Sequence, residues 1–337
     1  MEKLITQSKL QPFKLDDAQK VVDLFNAHSR AIFGWEDTDL DEMISDWTSP
    51  GFVPGEMARV LQDEQGDIIG YIDIYDILEP HVLKYVWGVM RPEAWDDGLY
   101  REMLTWAETY ARSRVRLAPE GARVVINHGT PSKDHQRNAA LRAYGYKLVR
   151  NYYRMMIELD HVPHQPRLPE GIQIVPINIE SELKEALIAN QDGFRDHWGF
   201  VERPIEELME QWRHYLETSK DFDPSLWFLA KDGDQIVGIC WNHGKMTEDP
   251  DMGWVNQLCV RKPWRKQGLG MALLLTAFNE FYHRGKKRVG LGVDATSLTN
   301  ATRLYEKAGM HVAEKFNTYE YELRPGKDLT TKEISTG

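Results

Sequence analysis

The chain repeats one pattern of hairpin, strand and helix, and this repetition limits the folds open to it more than any single residue does. Ile68-Ile69-Gly70-Tyr71-Ile72 follows a turn from Asp63 to Gly66, just as Ile236-Val237-Gly238-Ile239-Cys240 follows Asp232-Gly233-Asp234. Each apolar run reads as the second strand of a β-hairpin whose first strand lies at 57–61 or 227–231. Next come 85–89 and 254–260, which lead into amphipathic helices near 99–113 and 269–284. Ala139 to Tyr146 then parallels Thr302 to Met310, and both halves close on an aromatic strand, 151–159 and 317–323. In the second half two helices, near 180–190 and 203–218, precede the hairpin. Leu208, Met209, Trp212, Tyr215 and Leu216 give the latter an apolar face.

Between the halves, Val162-Pro163-His164-Gln165-Pro166-Arg167-Leu168-Pro169 is an extended, proline-rich connector with little helix potential. The expected division is a first domain over 1–160, a linker over 161–170, a second domain over 171–326 and a flexible tail over 327–337. The class is α/β, with a mixed sheet flanked by helices in each half. A length of 337 residues accommodates two cores. The excess of 52 acidic over 41 basic residues argues against duplex nucleic acid as a partner. Neither a secretory signal nor a membrane-length apolar run stands out, so a cytoplasmic protein without a membrane partner is expected. Cys240 and Cys259 sit in apolar patterns and read as buried thiols. The histidines lack a matched ligand set, so no metal is expected. The oligomeric state stays open.

Chemistry concentrates in Asn256-Gln257-Leu258-Cys259-Val260-Arg261-Lys262-Pro263-Trp264-Arg265-Lys266-Gln267-Gly268-Leu269-Gly270. It reads as an apolar strand, a basic turn and a glycine-opened helix. A strand edge offers backbone hydrogen bonds, and a helix start presents unpaired N–H groups and a positive dipole end to phosphate oxygens. Gly268 and Gly270 admit close approach because no Cβ intrudes. Arg265 and Lys266 add charge beside the N–H groups of Gln267 to Gly270. The alternative is a solvated basic loop. Gly290 and Gly292 on the following strand read equally as room for a ligand or room for packing.

These residues resemble the acyl-coenzyme A signature of the GNAT superfamily of N-acetyltransferases: Arg265, Gly268 and Gly270 fall on its Arg/Gln-x-x-Gly-x-Gly/Ala pattern. The resemblance continues through Asn300-Ala301-Thr302-Arg303-Leu304-Tyr305-Glu306-Lys307-Ala308-Gly309-Met310. It implies two tandem GNAT-like domains with splayed sheets, and acetyl-coenzyme A as cosubstrate. The pantetheine arm would lie along Leu258, Cys259 and Val260, with pyrophosphate over Arg265, Lys266, Gln267, Gly268, Leu269 and Gly270. Tyr305 would protonate the departing thiolate. Asn300 would cap the last helix and bond to the pantetheine. In this family the loop holding Phe194, Asp196, His197 and Trp198 borders the acceptor, and Trp241 runs toward the same side. Each of these could also be ordinary packing.

The first half departs from the signature. Gly98-Leu99-Tyr100 stands opposite Gly268-Leu269-Gly270, acids crowd Pro92 to Asp97, and Leu141 stands opposite Tyr305. It is expected to keep the fold and to have lost the cofactor. The function implied is transfer of an acetyl group from acetyl-coenzyme A to a primary amine of a small molecule, by direct attack. Asn256 and Gln257 are amides where an acidic base would be sought, so deprotonation of the amine would pass through water or the acceptor side. Acylation of a protein or peptide amine, and a catalytically silent acyl-coenzyme A sensor, are the alternatives.

Overall fold

The computed structural model describes residues 9–297 and 301–332. The first half of the chain runs through strand β1 (Lys9–Pro12), helices α1 (Ala18–Phe33), α2 (Leu40–Trp47) and α3 (Pro54–Met57), and strands β2 (Ala58–Gln62), β3 (Ile68–Tyr75) and β4 (Leu83–Met90). Helix α4 (Asp97–Ser113), strand β5 (Val124–Pro131), helix α5 (His135–Tyr144) and strand β6 (Lys147–Glu158) complete it. The second half begins with β7 (Ile172–Pro176), α6 (Ile179–Phe194), α7 (Ile205–Thr218), β8 (Trp227–Asp232), β9 (Gln235–His243) and β10 (Met252–Val260). It ends with α8 (Leu269–His283), β11 (Arg288–Asp294), α9 (Ala301–Lys307) and β12 (His311–Arg324).

These elements form two compact units, and the boundary between them is not the one the connector suggests. Within the described residues, one unit takes 9–149, 217–219 and 316–329; the other takes 150–216, 220–315 and 330–332. The first unit's strands lie in the order β1-β2-β3-β4-β5-β12, antiparallel throughout except for β4 beside β5. The second unit's order is β6-β11-β10-β9-β8-β7, with β10 and β11 its parallel pair.

Each half therefore ends on a strand that completes the sheet of the other unit. From Tyr152↔Asp294 to Glu158↔Arg288, β6 runs antiparallel to β11. From Phe316↔Pro131 to Arg324↔Val124, β12 runs antiparallel to β5. Residues 150–158, expected in the first domain, and 316–326, expected in the second, change places. Periodicity locates a strand but does not name the edge it pairs with. Nor are residues 327–332 loose: Arg123 donates to the Lys327 carbonyl and Lys327 to that of Gly121, both at 2.8 Å. Gly199 and Thr331 are bonded likewise at 2.8 Å. The last five residues of the expected tail, 333–337, lie outside the described residues.

The second unit's core gathers around α8, which buries Leu269, Ala272, Leu273, Leu274, Ala277, Phe278 and Phe281. On the sheet, Trp227 and Trp241 stack with ring centroids 4.5 Å apart, and Trp212 meets Trp241 edge-on at 5.1 Å. The first unit's core is separate and centres on Phe13, Leu24, Trp47 and Tyr71.

Candidate functional site

Two features of β10 build the site. Its parallel pairing with β11 stops at Val255↔Leu291, after which β11 stays with β6 while β10 stays with β9. The edge of β10 beyond Val255 is thus released, and an extended chain laid along it could take up backbone hydrogen bonds. At the point of divergence β10 bulges: Val255 pairs with Asn242 and Gln257 with Trp241, leaving Asn256 as the extra residue. A bulge of this kind re-aims a side chain, and Asn256 lines a small cavity at the split.

Beyond β10 the chain turns through Lys262–Trp264 into α8, whose N-cap is Gly268 in the left-handed conformation at φ 86°. A side chain there would be strained although no atom lies within 4 Å of its Cβ. The first intrahelical bond runs from Ala272 N to Gly268 O at 3.0 Å. The N–H groups of Leu269, Gly270 and Met271 consequently lack an intrahelical acceptor, as a helix start requires, and can meet an anion. Lys266 is exposed beside them at φ 62°.

Arg265 does something the sequence did not reveal. Its guanidinium donates to the Val260 carbonyl (2.8 Å), the Gly193 carbonyl (2.9 Å) and Asp196 (2.5 Å). It ties the end of β10 to the end of α6, so its charge is already committed. Asp196 accordingly faces the turn and Arg265, away from the small cavity among whose walls it was expected. Gly193 is a further residue that sequence reasoning passed over. A Cβ there would lie 2.8 Å from the Cys259 Cβ, so α6 can approach β10 only with glycine at that position.

Two cavities meet at this split. The larger, about 690 Å³, runs along Leu258, Cys259 and Val260 to Lys266, Gly268 and Gly270. The smaller, about 170 Å³, is lined by Phe194, Trp198, Asn256, Gly292 and Asp294, among others. Leu258, His197, Ala301 and Tyr305 line both. Tyr305 is buried on α9, which pushes its phenol pKa upward and keeps it protonated through the physiological range. Burial, helped by the Arg265 charge, lowers His197 to about 4, so the imidazole is neutral at pH 7. Cys259 lines the larger cavity, yet burial raises its thiol to about 12, which leaves almost no nucleophilic thiolate.

The two glycines of β11 have separate reasons. A Cβ on Gly290 would strike the Trp254 ring at 2.6 Å, whereas one on Gly292 would meet nothing within 4 Å and opens on the small cavity. Gly290 is a packing glycine; Gly292 is not. Trp241 is fully buried against Trp227 and lines neither cavity. Strand alternation directs it into the core, away from the acceptor side. Tyr152 belongs to the small cavity but was hidden from sequence reasoning by its place in the first half. Asp294 is there too, held by Arg150 at 2.8 Å. Asn300 lies outside the described residues. Among the described residues no three His, Cys, Asp or Glu side chains could hold a metal ion, and no helix is long and apolar enough to cross a membrane.

The first unit has the same divergence without the opening. Pairing of β4 with β5 ends at Val86↔His128. Beyond it the Gly88 carbonyl receives the Arg137 guanidinium at 3.0 Å and the Tyr100 hydroxyl at 3.4 Å, and Tyr100 is 3.1 Å from His128. The N-terminus of α4 is filled by Asp96, which accepts from Gly98 N at 2.8 Å and Leu99 N at 3.1 Å. Side chains of this chain thus occupy what β10 and α8 leave open.

Known proteins agree with this architecture. Residues 191–310, all within the second half, match the acetyltransferase (GNAT) family. A mycothiol acetyltransferase of Geodermatophilus obscurus is 31% identical over 227 residues, 66% of this chain and 68% of the relative. A solved GCN5-related N-acetyltransferase from Sphaerobacter thermophilus is 30% identical, with a TM-score of 0.77 over 96% of this chain and 98% of its own. A tandem GNAT protein from the clavulanic acid biosynthesis pathway shares the fold at 14% identity, with a TM-score of 0.68 over 95% of this chain and all of its own.

Proposed function

Since the chain belongs to the GNAT family of acetyltransferases and is therefore an acyltransferase, we propose that its second unit moves an acetyl group from acetyl-coenzyme A to the primary amine of a small molecule. The observation that carries this reading is the shared wall: Tyr305 borders both the elongated cavity beside β10 and the compact one beside Asn256. A thioester carbon at that junction would be open to attack from the compact side, with its sulfur beside the phenol.

The residues fit such a cosubstrate. The released edge of β10 suits a pantetheine arm, and the N–H groups opening α8, with Lys266 beside them, suit a pyrophosphate. The bound thioester supplies the activated acetyl group. Tyr305 donates its proton to the leaving thiolate. Asn256, aimed by the bulge, offers the acceptor amine a carbonyl oxygen. Cys259 takes no part as a nucleophile because its thiol stays protonated, which favours direct attack over an acyl-enzyme. A compact acceptor cavity and relatives bearing the name mycothiol acetyltransferase both favour a small molecule over a protein terminus.

In the test, Tyr305→Phe lowers kcat by about 10²-fold or more while leaving the acetyl-coenzyme A affinity unchanged, as loss of a general acid requires. Equal kcat in the two proteins would remove Tyr305 from the reaction. Absence of transfer to any amine, with the cosubstrate still bound, would favour an acyl-coenzyme A sensor.

A further inference from the structure

The loop beside the compact cavity is held by residues distant in the sequence. Residues 195–200 lie between α6 and α7 and carry His197 and Trp198, both walls of that cavity. Arg265 grips the near end of the loop at Gly193 and Asp196. Thr331 grips the far end. Gly199 N donates to the Thr331 carbonyl at 2.8 Å, and Thr331 N donates to the Phe200 carbonyl at 2.9 Å, a reciprocal exchange like that of paired strands. The Thr331 hydroxyl adds a bond to the Arg195 carbonyl at 3.0 Å. One residue thus spans the loop from Arg195 to Phe200.

Trp198 is held as well. The Lys332 ammonium lies over its ring, 4.1 Å from the centroid, and the Arg150 guanidinium lies over it at 5.3 Å. Ring faces carry negative electrostatic potential and attract such cations. Arg150 in turn donates to Asp294 at 2.9 and 2.8 Å and to the Thr296 carbonyl at 2.8 Å. Asp294 and Trp198 both line the compact cavity. A continuous run of contacts therefore leads from Lys332 through Trp198 and Arg150 to the cavity wall. Residues 330–332 belong to the same compact unit as that wall. Thr331, Lys332 and Trp198 are only half-buried. Partly solvated ties open at a lower free energy than a core element does, so this wall is sensitive to the loss of one of them.

We propose that Thr331 and Lys332 are positioning residues for the acceptor: they strap the loop 195–200 and so hold Trp198 and His197 at the wall of the compact cavity. Calling that cavity the acceptor's rests on the proposed function; the strap itself does not. Thr331 and Lys332 line neither cavity, so they act through the loop and touch neither substrate. Acetyl-coenzyme A, laid along β10 and α8, should not feel the loss of the strap. The acceptor should.

The test uses the full chain and reads the cavity from inside. Gly292 lines it, and a Cβ there meets nothing within 4 Å, so Gly292→Cys places a thiol in the compact cavity. Alkylation at position 292 by N-ethylmaleimide, followed by peptide mass spectrometry, reports how often the wall opens. Cys240 and Cys259, both raised to about 12, react slowly. In that background Thr331→Pro removes an N–H and a hydroxyl, and should speed alkylation on the order of ten-fold. Lys332→Met should speed it about three-fold, and Lys332→Arg, which keeps a cation over the ring, should not. Without Gly292→Cys, Thr331→Pro and Lys332→Met should bind acetyl-coenzyme A with unchanged affinity. With glucosamine and propylamine as amine probes, they should raise KM several-fold and change kcat less.

Unchanged alkylation in both strap variants would overturn the proposal. So would faster alkylation with an unchanged amine KM, or an equal loss of acetyl-coenzyme A affinity. Failure of the unaltered protein to acetylate either probe would count against the proposed acceptor class, and the alkylation rates would still decide the strap. Should Gly292→Cys fail to fold, hydrogen exchange over 195–200 in Lys332→Met takes its place, with the same expected ratio.

Discussion

His197 illustrates how environment, more than residue type, sets a role. A histidine at the meeting point of two cavities invites assignment as the general base, yet burial and Arg265 lower it to about 4. Taking a proton from an alkylammonium of pKa about 10 would then cost roughly 8 kcal/mol at 1.36 kcal/mol per unit. On the proposed reading its neutrality would let it hydrogen-bond the acceptor without repelling a cation. The sign of the pH dependence follows. Because the folded value of about 4 lies below the working range, His197 should not titrate between pH 6 and 9, and with the proposed amine acceptor the acid limb of kcat/KM would belong to the amine itself. The limb should rise about ten-fold per pH unit toward the amine's own pKa, and His197→Gln should leave it in place. A limb with a midpoint between pH 6 and 7 that vanished in this variant would instead make His197 the base.

At the level of elements, the two units contrast at one helix start. Helix α8 opens with Gly268 and no side-chain cap, whereas α4 opens with Asp96 bonded to Gly98 N and Leu99 N. A capping carboxylate neutralises the same N–H groups and dipole end that an incoming phosphate would need. Full-length protein should therefore bind one acetyl-coenzyme A per chain in titration calorimetry. Asp96→Ala should lower stability by about 1 kcal/mol and still not create a second site, because Tyr100 and Arg137 continue to fill the divergence of β4 from β5. Two sites in either protein would overturn the account of the first unit.

For the whole molecule, the consequence to test is the exchange of terminal strands. Cutting the chain in the connector after Gln165 yields two pieces, each ending on a strand that the other piece's sheet requires. Without β6, β11 loses its antiparallel neighbour; without β12, β5 loses its own. Exposed edges and half-covered cores follow, a combination that favours aggregation. Each piece alone should lack a cooperative thermal transition, and co-expression should restore both the transition and acetyl-coenzyme A binding. Cooperative unfolding and native affinity in 166–337 alone would show the exchange to be dispensable.

The sequence by itself determined what depends on neighbours along the chain. The hairpin turns at Asp63 to Gly66 and Asp232 to Asp234, the apolar face of α7 and the glycine start of α8 are local: turn chemistry and side-chain period act within a few residues. The mixed α/β class followed from that, while the family came from the resemblance of Arg265 to Gly270 and of Asn300 to Met310 to a known signature. Only the tertiary structure decided which strand lies beside which, and this moved Tyr152 into the compact cavity and Phe316–Arg324 into the first unit's sheet. It also committed the Arg265 charge to Asp196, sent Trp241 into the core and laid Thr331 against the loop 195–200. The physical reason is common to all of these. Backbone pairing and charge compensation are satisfied by partners distant in sequence, and a residue's own neighbours carry no record of which partner that is.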